Sequence, residues 1–73
     1  MDENIILLLQ DLGFNHNETK VFLSLLKLGS APAAKIAKDA DLHRANTYDA
    51  LNKLLARGVV AYILKENTKC YQI

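Results

Sequence analysis

The chain has 73 residues and a formal net charge of +1, and 51% of its residues are hydrophobic and 23% charged, which suits one small globular domain. Its single cysteine, Cys70, excludes an intramolecular disulfide framework and fits a reducing cytoplasm. No apolar run approaches the roughly 18 residues of a membrane span, and the acidic start at Asp2 and Glu3 is unlike a secretory signal, so we expect a cytoplasmic protein.

The first predicted helix covers about residues 3–12 and ends before Gly13. Residues 5–9 are all apolar, so they point to every side of a helix, which is more than one core-facing stripe requires. We therefore expect part of this surface to be covered, either by a second copy of the chain or by a further domain. The predicted dimerisation residues are Ile5, Ile6, Leu8 and Leu9.

The second predicted helix is marked at both ends. Asn15 stands at the cap position with Glu18 three residues on, which is the spacing of a capping box. Gly29 ends the helix. Between them lies an apolar face at helical spacing, formed by Val21, Phe22, Leu25, Leu26 and Leu28.

A short helix, a tight turn and a longer helix follow. The short helix covers residues 33–40 after Pro32, and the longer one covers residues 44–57 before Gly58. The small Ala37, a turn residue tolerant of positive φ at Asp41 and the apolar Leu42 meet the requirements of a helix-turn-helix unit. The inward faces are expected to be Ile36, Ala37 and Ala40 on the short helix, and Thr47, Ala50, Leu51, Leu54 and Leu55 on the longer one.

After Gly58 the residue pattern changes to that of strands. Residues 59–64 are mostly β-branched or aromatic, residues 66–68 favour a turn, and residues 69–73 alternate as a returning strand. The predicted fold is mainly α with a C-terminal β-hairpin: a single winged helix-turn-helix domain over residues 1–73, with about four helices. Residues 33–57 are its helix-turn-helix and residues 59–73 its wing.

The chain resembles the N-terminal winged helix of the archaeal TrmB family of transcriptional regulators. The residues that carry the resemblance run over 11–15, 18–29, 36–37, 46–51 and 54–60. The segment 18–29, together with the spacing of Tyr48-Asp49 and Arg57-Gly58, is the most distinctive part of the resemblance. MarR-type repressors share the general outline of the fold. The family commonly has Gly where Asp41 stands, and Pro or Ser where His43 stands. Its members generally continue into a C-terminal domain that binds sugars or other effectors. The 73 residues do not include that domain, so the resemblance does not imply that they sense a sugar.

In a helix-turn-helix protein, the second helix enters the major groove of DNA and its N-terminal side chains reach base edges. With Thr47, Ala50, Leu51 and Leu54 inward, the opposite face of helix 44–57 and the wing tip supply the candidate contacts. The predicted DNA-binding residues are Lys35, His43, Arg44, Ala45, Asn46, Tyr48, Asn52, Lys65 and Lys69.

Several of these residues have an expected role. Arg44 suits guanine or a phosphate, and Asn46 suits adenine. Tyr48 either donates to a phosphate or packs against the wing. Asp49 would repel phosphate, and we expect it to pair with a lysine or to accept from cytosine. Residues 30–73 carry seven basic and four acidic side chains, which modestly favours a polyanionic partner.

The resulting hypothesis is a transcriptional regulator that binds double-stranded DNA as a homodimer. The alternative is a winged helix used for protein–protein interaction, which the near-neutral charge and Asp49 would suit. The sequence carries no enzyme motif. Its two histidines are 27 positions apart on different elements, so we expect no metal site. We also expect no cofactor and no small-molecule site in so short a chain.

Overall fold

The computed structural model describes residues 3–73 of the chain, which form four helices and three short strands. The elements in chain order are α1 (Glu3–Asp11), α2 (His16–Leu28), β1 (Ser30–Pro32), α3 (Ala33–Ala40), α4 (Arg44–Arg57), β2 (Ala61–Lys65) and β3 (Thr68–Gln72). None of the described helices has the length and apolar character needed to span a membrane.

The predicted cap of α2 is present. The Asn15 side chain accepts the backbone N–H of Glu18 at 2.7 Å, and the Glu18 carboxylate accepts the backbone N–H of Asn15 at 3.2 Å. Two of the N–H groups that a helix start leaves without intrahelical partners are therefore satisfied.

The turn between α3 and α4 has the geometry expected of a helix-turn-helix. Asp41 is left-handed, with φ of 56° and ψ of 50°, and ends α3. The next residue, Leu42, donates its N–H to the carbonyl of Ala37 at 3.0 Å. This backbone closure turns the chain sharply, so that α4 begins only three residues after Asp41.

The sheet has three antiparallel strands in the order β1-β3-β2, one more than the predicted hairpin. β1 pairs Ala31 with Tyr71, and β2 pairs Tyr62 with the same residue. Sequence reasoning missed β1 because three residues that include a proline are too short to show alternation, and because their partner strand lies about 40 residues away in the chain.

The wing differs from the prediction by one or two residues at each strand. β2 begins at Ala61, since Val60 is buried ahead of the strand. Thr68 pairs with Lys65 and so belongs to β3. The turn is then only Glu66 and Asn67, both with positive φ, as a two-residue hairpin turn with the twist of the strands requires.

The core lies between the helices and the inner face of the sheet. The inward faces predicted for α3 and α4 are confirmed, with Leu55 only partly buried. On α2 the prediction fails for Leu26, which is exposed. The central buried residues are Leu9, Phe14, Val21, Leu25, Ala31, Ala33, Ile36, Ala50, Leu51, Leu54, Val60 and Tyr71. Four helices and a C-terminal hairpin on one core form a winged helix-turn-helix.

α1 corrects the predicted dimerisation surface. Leu9 is only 6% exposed and belongs to the domain's own core, and Ile5, one turn before it, packs against that core. Leu9 is therefore not available to a second chain, and Ile5 and Ile6 are only partly so. The apolar side chains that α1 and the following turn leave exposed are Leu7, Leu8 and Leu12.

Candidate nucleic-acid interface

One face of α4 presents polar side chains to solvent at the N-terminal half of the helix. The opposite side of α4 is buried in the core, where Thr47, Ala50 and Leu51 are each at most 1% exposed. The five residues predicted to contact DNA from this helix are all exposed: Arg44, Ala45, Asn46, Tyr48 and Asn52. The helical period alone was enough to assign this face.

α4 begins without a side-chain cap from residues 3–73. His43 occupies the cap position and is exposed, and its carbonyl accepts both the backbone N–H and the hydroxyl of Thr47 at 3.0 Å. The imidazole is therefore not used to start the helix, and it stands at the solvent edge beside Arg44.

Two charge contacts organise the exposed face. The Arg44 guanidinium carbon lies 6.0 Å from the centroid of the Tyr48 ring, one turn along. Asp49 pairs with Lys53 at 3.2 Å, as expected for an aspartate at this position with a lysine one turn on. This pairing reduces the negative charge that Asp49 would otherwise present.

A groove of about 650 Å³ separates α4 from the wing. Its lining comes from β1, the first turn of α3, α4, β3 and the hairpin turn. The lining residues are Pro32, Ala33, Ala34, Arg44, Tyr48, Asn52, Asn67, Thr68, Lys69 and Tyr71. Four of the predicted contacts, on α4 and on the wing, thus converge on one concave surface, and no described lining residue is acidic.

The two wing lysines lie on opposite faces of the hairpin. Lys69 pairs with Leu64 and lies on the same side as Tyr62 and Tyr71, whereas Lys65 pairs with Thr68 on the other side. The Lys69 ammonium lies 4.6 Å from the centroid of the Tyr62 ring, which holds it beside the groove. Lys65, Lys35, His43, Ala45 and Asn46 are exposed but do not line the groove.

Tyr71 is part of this surface and was not predicted. It is a buried residue of the central strand that nevertheless lines the groove. Burial raises the pKa of its hydroxyl above the ordinary tyrosine value, and the neighbouring Tyr48 and Tyr62 add to the rise. In a sequence, an alternating strand residue of this kind is indistinguishable from an ordinary core tyrosine.

Arg57 is a second residue whose role the sequence did not indicate. Its Nε donates to the Glu18 carboxylate at 2.7 Å, and one terminal nitrogen donates to the carbonyl of Gly13 at 2.7 Å. The guanidinium carbon lies 4.8 Å from the centroid of the Phe14 ring. These contacts tie the end of α4 to the α1–α2 connection, and so fix the direction of α4 relative to α2.

No group of three His, Cys, Asp or Glu side chains suited to a metal ion occurs within residues 3–73. The surface around α4 is instead composed of cations, hydroxyls and amides, which are groups suited to contact phosphates and base edges.

Comparison with known proteins decides the family. The model of a family described as the sugar-specific transcriptional regulator TrmB matches residues 9–73. The chain belongs to the TrmB family. The matched region contains the whole helix-turn-helix and the wing, whereas most of α1, with the exposed Leu7 and Leu8, lies before it.

Two relatives extend the comparison. The chain is 33% identical over 60 residues to the HTH-type sugar sensing transcriptional regulator TrmBL1 of Pyrococcus furiosus, which covers 82% of this chain and 18% of that protein. It is 32% identical over 71 residues to the protein YrhO of Bacillus subtilis, which covers 97% of this chain and 26% of that protein. The chain therefore spans at most about a quarter of the length of these relatives.

Proposed function

We propose that this domain binds double-stranded DNA and regulates transcription, with α4 in the major groove and the wing on the adjacent backbone or minor groove. The observation that carries the proposal is the groove on which Arg44, Tyr48 and Asn52 of α4 converge with Lys69 of the wing. Family membership supports the same function, since the family's description is that of a transcriptional regulator.

The proposal divides the contacts by role. Arg44 and Asn46, exposed at the start of α4, contact base edges and supply selectivity. Lys35, His43, Tyr48 and Lys69 contact phosphates and supply affinity. Asn52, which lines the groove, and the exposed Ala45 make the remaining contacts from α4. Lys65, on the far face of the wing, makes a weaker, longer-range contribution than Lys69.

The domain acts as a dimer in this proposal, because two-fold symmetric proteins match two half-sites about one helical turn apart. The apolar surface of Leu7, Leu8 and Leu12, each more than half exposed, is the candidate interface. In this proposal a second copy of the chain packs on this surface. The side chains of α1 between Glu3 and Asp11 are all uncharged, so two copies of the helix can meet there without repulsion.

The alternative function, a protein–protein interaction module, depended on the exposed Asp49. Its ion pair with Lys53 weakens that argument, since the face is then close to neutral at Asp49 and positive at Arg44.

The experiment is a selection of random duplexes on the wild-type chain, on Arg44→Ala and on Lys69→Ala. We expect Arg44→Ala to relax base preference at one position of the enriched motif. Lys69→Ala should weaken all sequences about equally and reduce the salt slope by about one per bound copy. Lys20→Ala, which removes the same charge from α2, is the matched control and should change neither property.

Salt dependence separates the two functions. A dimer with several phosphate contacts per copy should lose about 10³-fold in affinity between about 50 and 200 mM salt. Absence of duplex binding at the lower salt concentration would reject the proposal in favour of the protein-interaction module.

A further inference from the structure

Tyr71 occupies an unusual position for a buried tyrosine. It lies on the middle strand, β3, paired with Ala31 on one side and Tyr62 on the other, and it is 2% exposed. The groove between α4 and the wing is the surface that it lines. Its ring therefore completes the core while its edge belongs to the candidate interface.

The Tyr71 hydroxyl has no hydrogen-bond partner among residues 3–73. The buried polar side chains of the helices are all satisfied: Glu18 by Arg57, Thr19 by the Asn15 carbonyl, Ser24 by Asp39 and Thr47 by the His43 carbonyl. No polar atom that is fully enclosed in this part of the chain lacks a partner, so the Tyr71 hydroxyl opens onto the groove. A hydroxyl in such a site is stabilised most when a ligand accepts a hydrogen bond from it.

The surroundings of this hydroxyl select an anion. Arg44 and Lys69 stand on opposite walls of the groove, and the described lining contains no carboxylate. The first turn of α3, which has no side-chain cap, opens onto the same space through Ala33 and Ala34. Because burial raises the pKa of Tyr71, its hydroxyl stays protonated at neutral pH and remains a donor.

We propose that Tyr71 is a phosphate-binding residue, whose hydroxyl donates to one backbone phosphate of the duplex held in the groove beside Lys69. This inference rests on the proposed DNA-binding function and deepens it, because it places one strand of the DNA backbone inside the groove and not across the tip of the wing. The neutral tyrosine orients the phosphate and Lys69 supplies the charge, while Arg44 keeps its contact with a base edge.

The test compares Tyr71→Phe with Tyr62→Phe. Both substitutions remove one hydroxyl from the same sheet and keep the ring, but the Tyr62 hydroxyl does not line the groove. Tyr71→Phe should weaken binding to the duplex enriched on the wild-type chain about tenfold, the scale of one hydrogen bond to a charged group. Tyr62→Phe should bind like the wild type.

Two further readouts distinguish this role from a structural one. Thermal unfolding of Tyr71→Phe should match the wild type, since the lost hydroxyl has no partner within residues 3–73. The salt slope should also be unchanged, because a neutral donor displaces no counterion. A Tyr71→Phe variant that binds duplex as tightly as the wild type overturns the proposal. So does a variant whose loss of duplex affinity is explained by a lower unfolding temperature.

Methylphosphonate substitution, one phosphate at a time, locates the contact. One position should weaken the wild-type chain more than it weakens Tyr71→Phe, because the variant has already lost the hydroxyl contact and keeps only the charge contact at that phosphate. Equal sensitivity of the two proteins at every position contradicts the inference while leaving DNA binding intact. If the wild type binds no duplex, yet inorganic phosphate raises its unfolding temperature in a Tyr71-dependent way, the groove holds a free anion and both proposals are wrong.

Discussion

The guanidinium of Arg57 and the carboxylate of Glu18 lie 2.7 Å apart across 39 positions of sequence. Glu18 is 3% exposed on its side chain, and the same carboxylate also closes the cap of α2. One buried anion thus joins the start of α2 to the end of α4. Because α4 carries the candidate base contacts, this pair links core stability to the orientation of the interface.

Replacing Arg57 by Ala should lower the free energy of unfolding by about 2–4 kcal/mol, because it leaves the Glu18 charge buried without its partner. Chemical denaturation measures the change. Lys53→Ala, which breaks the exposed pair with Asp49, is the matched control and should cost about 0.5 kcal/mol or less.

A second substitution separates the buried charge from lost packing. Glu18→Gln in the Arg57→Ala background removes the charge and keeps an oxygen to accept the Asn15 N–H, so it should recover about 1 kcal/mol. A double variant no more stable than Arg57→Ala would contradict this account, and would attribute the loss to the Phe14 and Gly13 contacts of Arg57.

The local pattern of the chain was sufficient for the helices and for the face of α4. Caps, glycines and the 3.6-residue period are properties of neighbouring residues, and so the cap at Asn15 and the inward Thr47 were predictable. The same reasoning predicted that Asp41 adopts the left-handed conformation. Each of these features depends on residues within one or two turns.

What could not be predicted depends on pairings between distant parts of the chain. β1 exists because Ala31 finds Tyr71 across the sheet, and the role of Arg57 appears only when α4 packs beside α2. Leu9 and Leu8 are alike in sequence, and only the direction of packing decides that the first is core and the second exposed. Lys65 and Lys69 likewise differ only through the register of the hairpin.

Asp41→Gly should stabilise the domain by about 0.5–1 kcal/mol. Asp41 has a φ of 56°, which glycine adopts without the steric cost that a side chain meets. Asp41→Ala is the control, since it removes the same carboxylate but keeps a Cβ. Thermal and denaturant unfolding should place the Ala variant about 1 kcal/mol below the Gly variant. An Ala variant equal to the Gly variant would mean that the turn carries no strain at this position.

The ion pair between Lys27 and Asp39 should make part of the stability depend on pH. Lys27 donates to Asp39 at 2.7 Å, and this bond, together with one from Ser24, holds the pKa of Asp39 below the ordinary value of an aspartate. A depressed folded-state pKa contributes stability above the unfolded value, which is lost as pH falls through the folded value. Wild-type protein should therefore lose more stability than Asp39→Asn between about pH 5 and pH 2.

Denaturation midpoints across this acid range measure the difference. Lys27→Met should reduce the fall in stability at acid pH (the acid limb of the curve) as Asp39→Asn does, because it removes the first cause of the lowered pKa of Asp39. Lys38→Met removes a lysine from the same helix as Asp39 and should keep the wild-type limb. Identical acid limbs for wild type and Asp39→Asn would show that this pair adds nothing in the folded state.

Leu8 and Leu9 offer a test that separates the dimer surface from the core. Leu9→Ala should cost about 2–5 kcal/mol of folding free energy, because it opens a cavity where Leu9 now packs. Leu8→Glu changes a side chain that is 59% exposed, so the monomer should fold with nearly unchanged stability. Sedimentation equilibrium should nevertheless show a weaker dimer, since the new charges of the two copies meet in the apolar contact.

Duplexes with one or two half-sites extend the comparison to DNA. Leu8→Glu should bind a duplex with one half-site as tightly as the wild type does. It should not bind more tightly when a second half-site is added, because that gain in affinity comes from the contact between two bound copies. Lys20→Glu on α2 introduces the same charge outside the α1 surface and is the control. A wild-type chain that remains monomeric both free and on the two-site duplex would contradict the assignment of Leu7, Leu8 and Leu12 as an interface between copies.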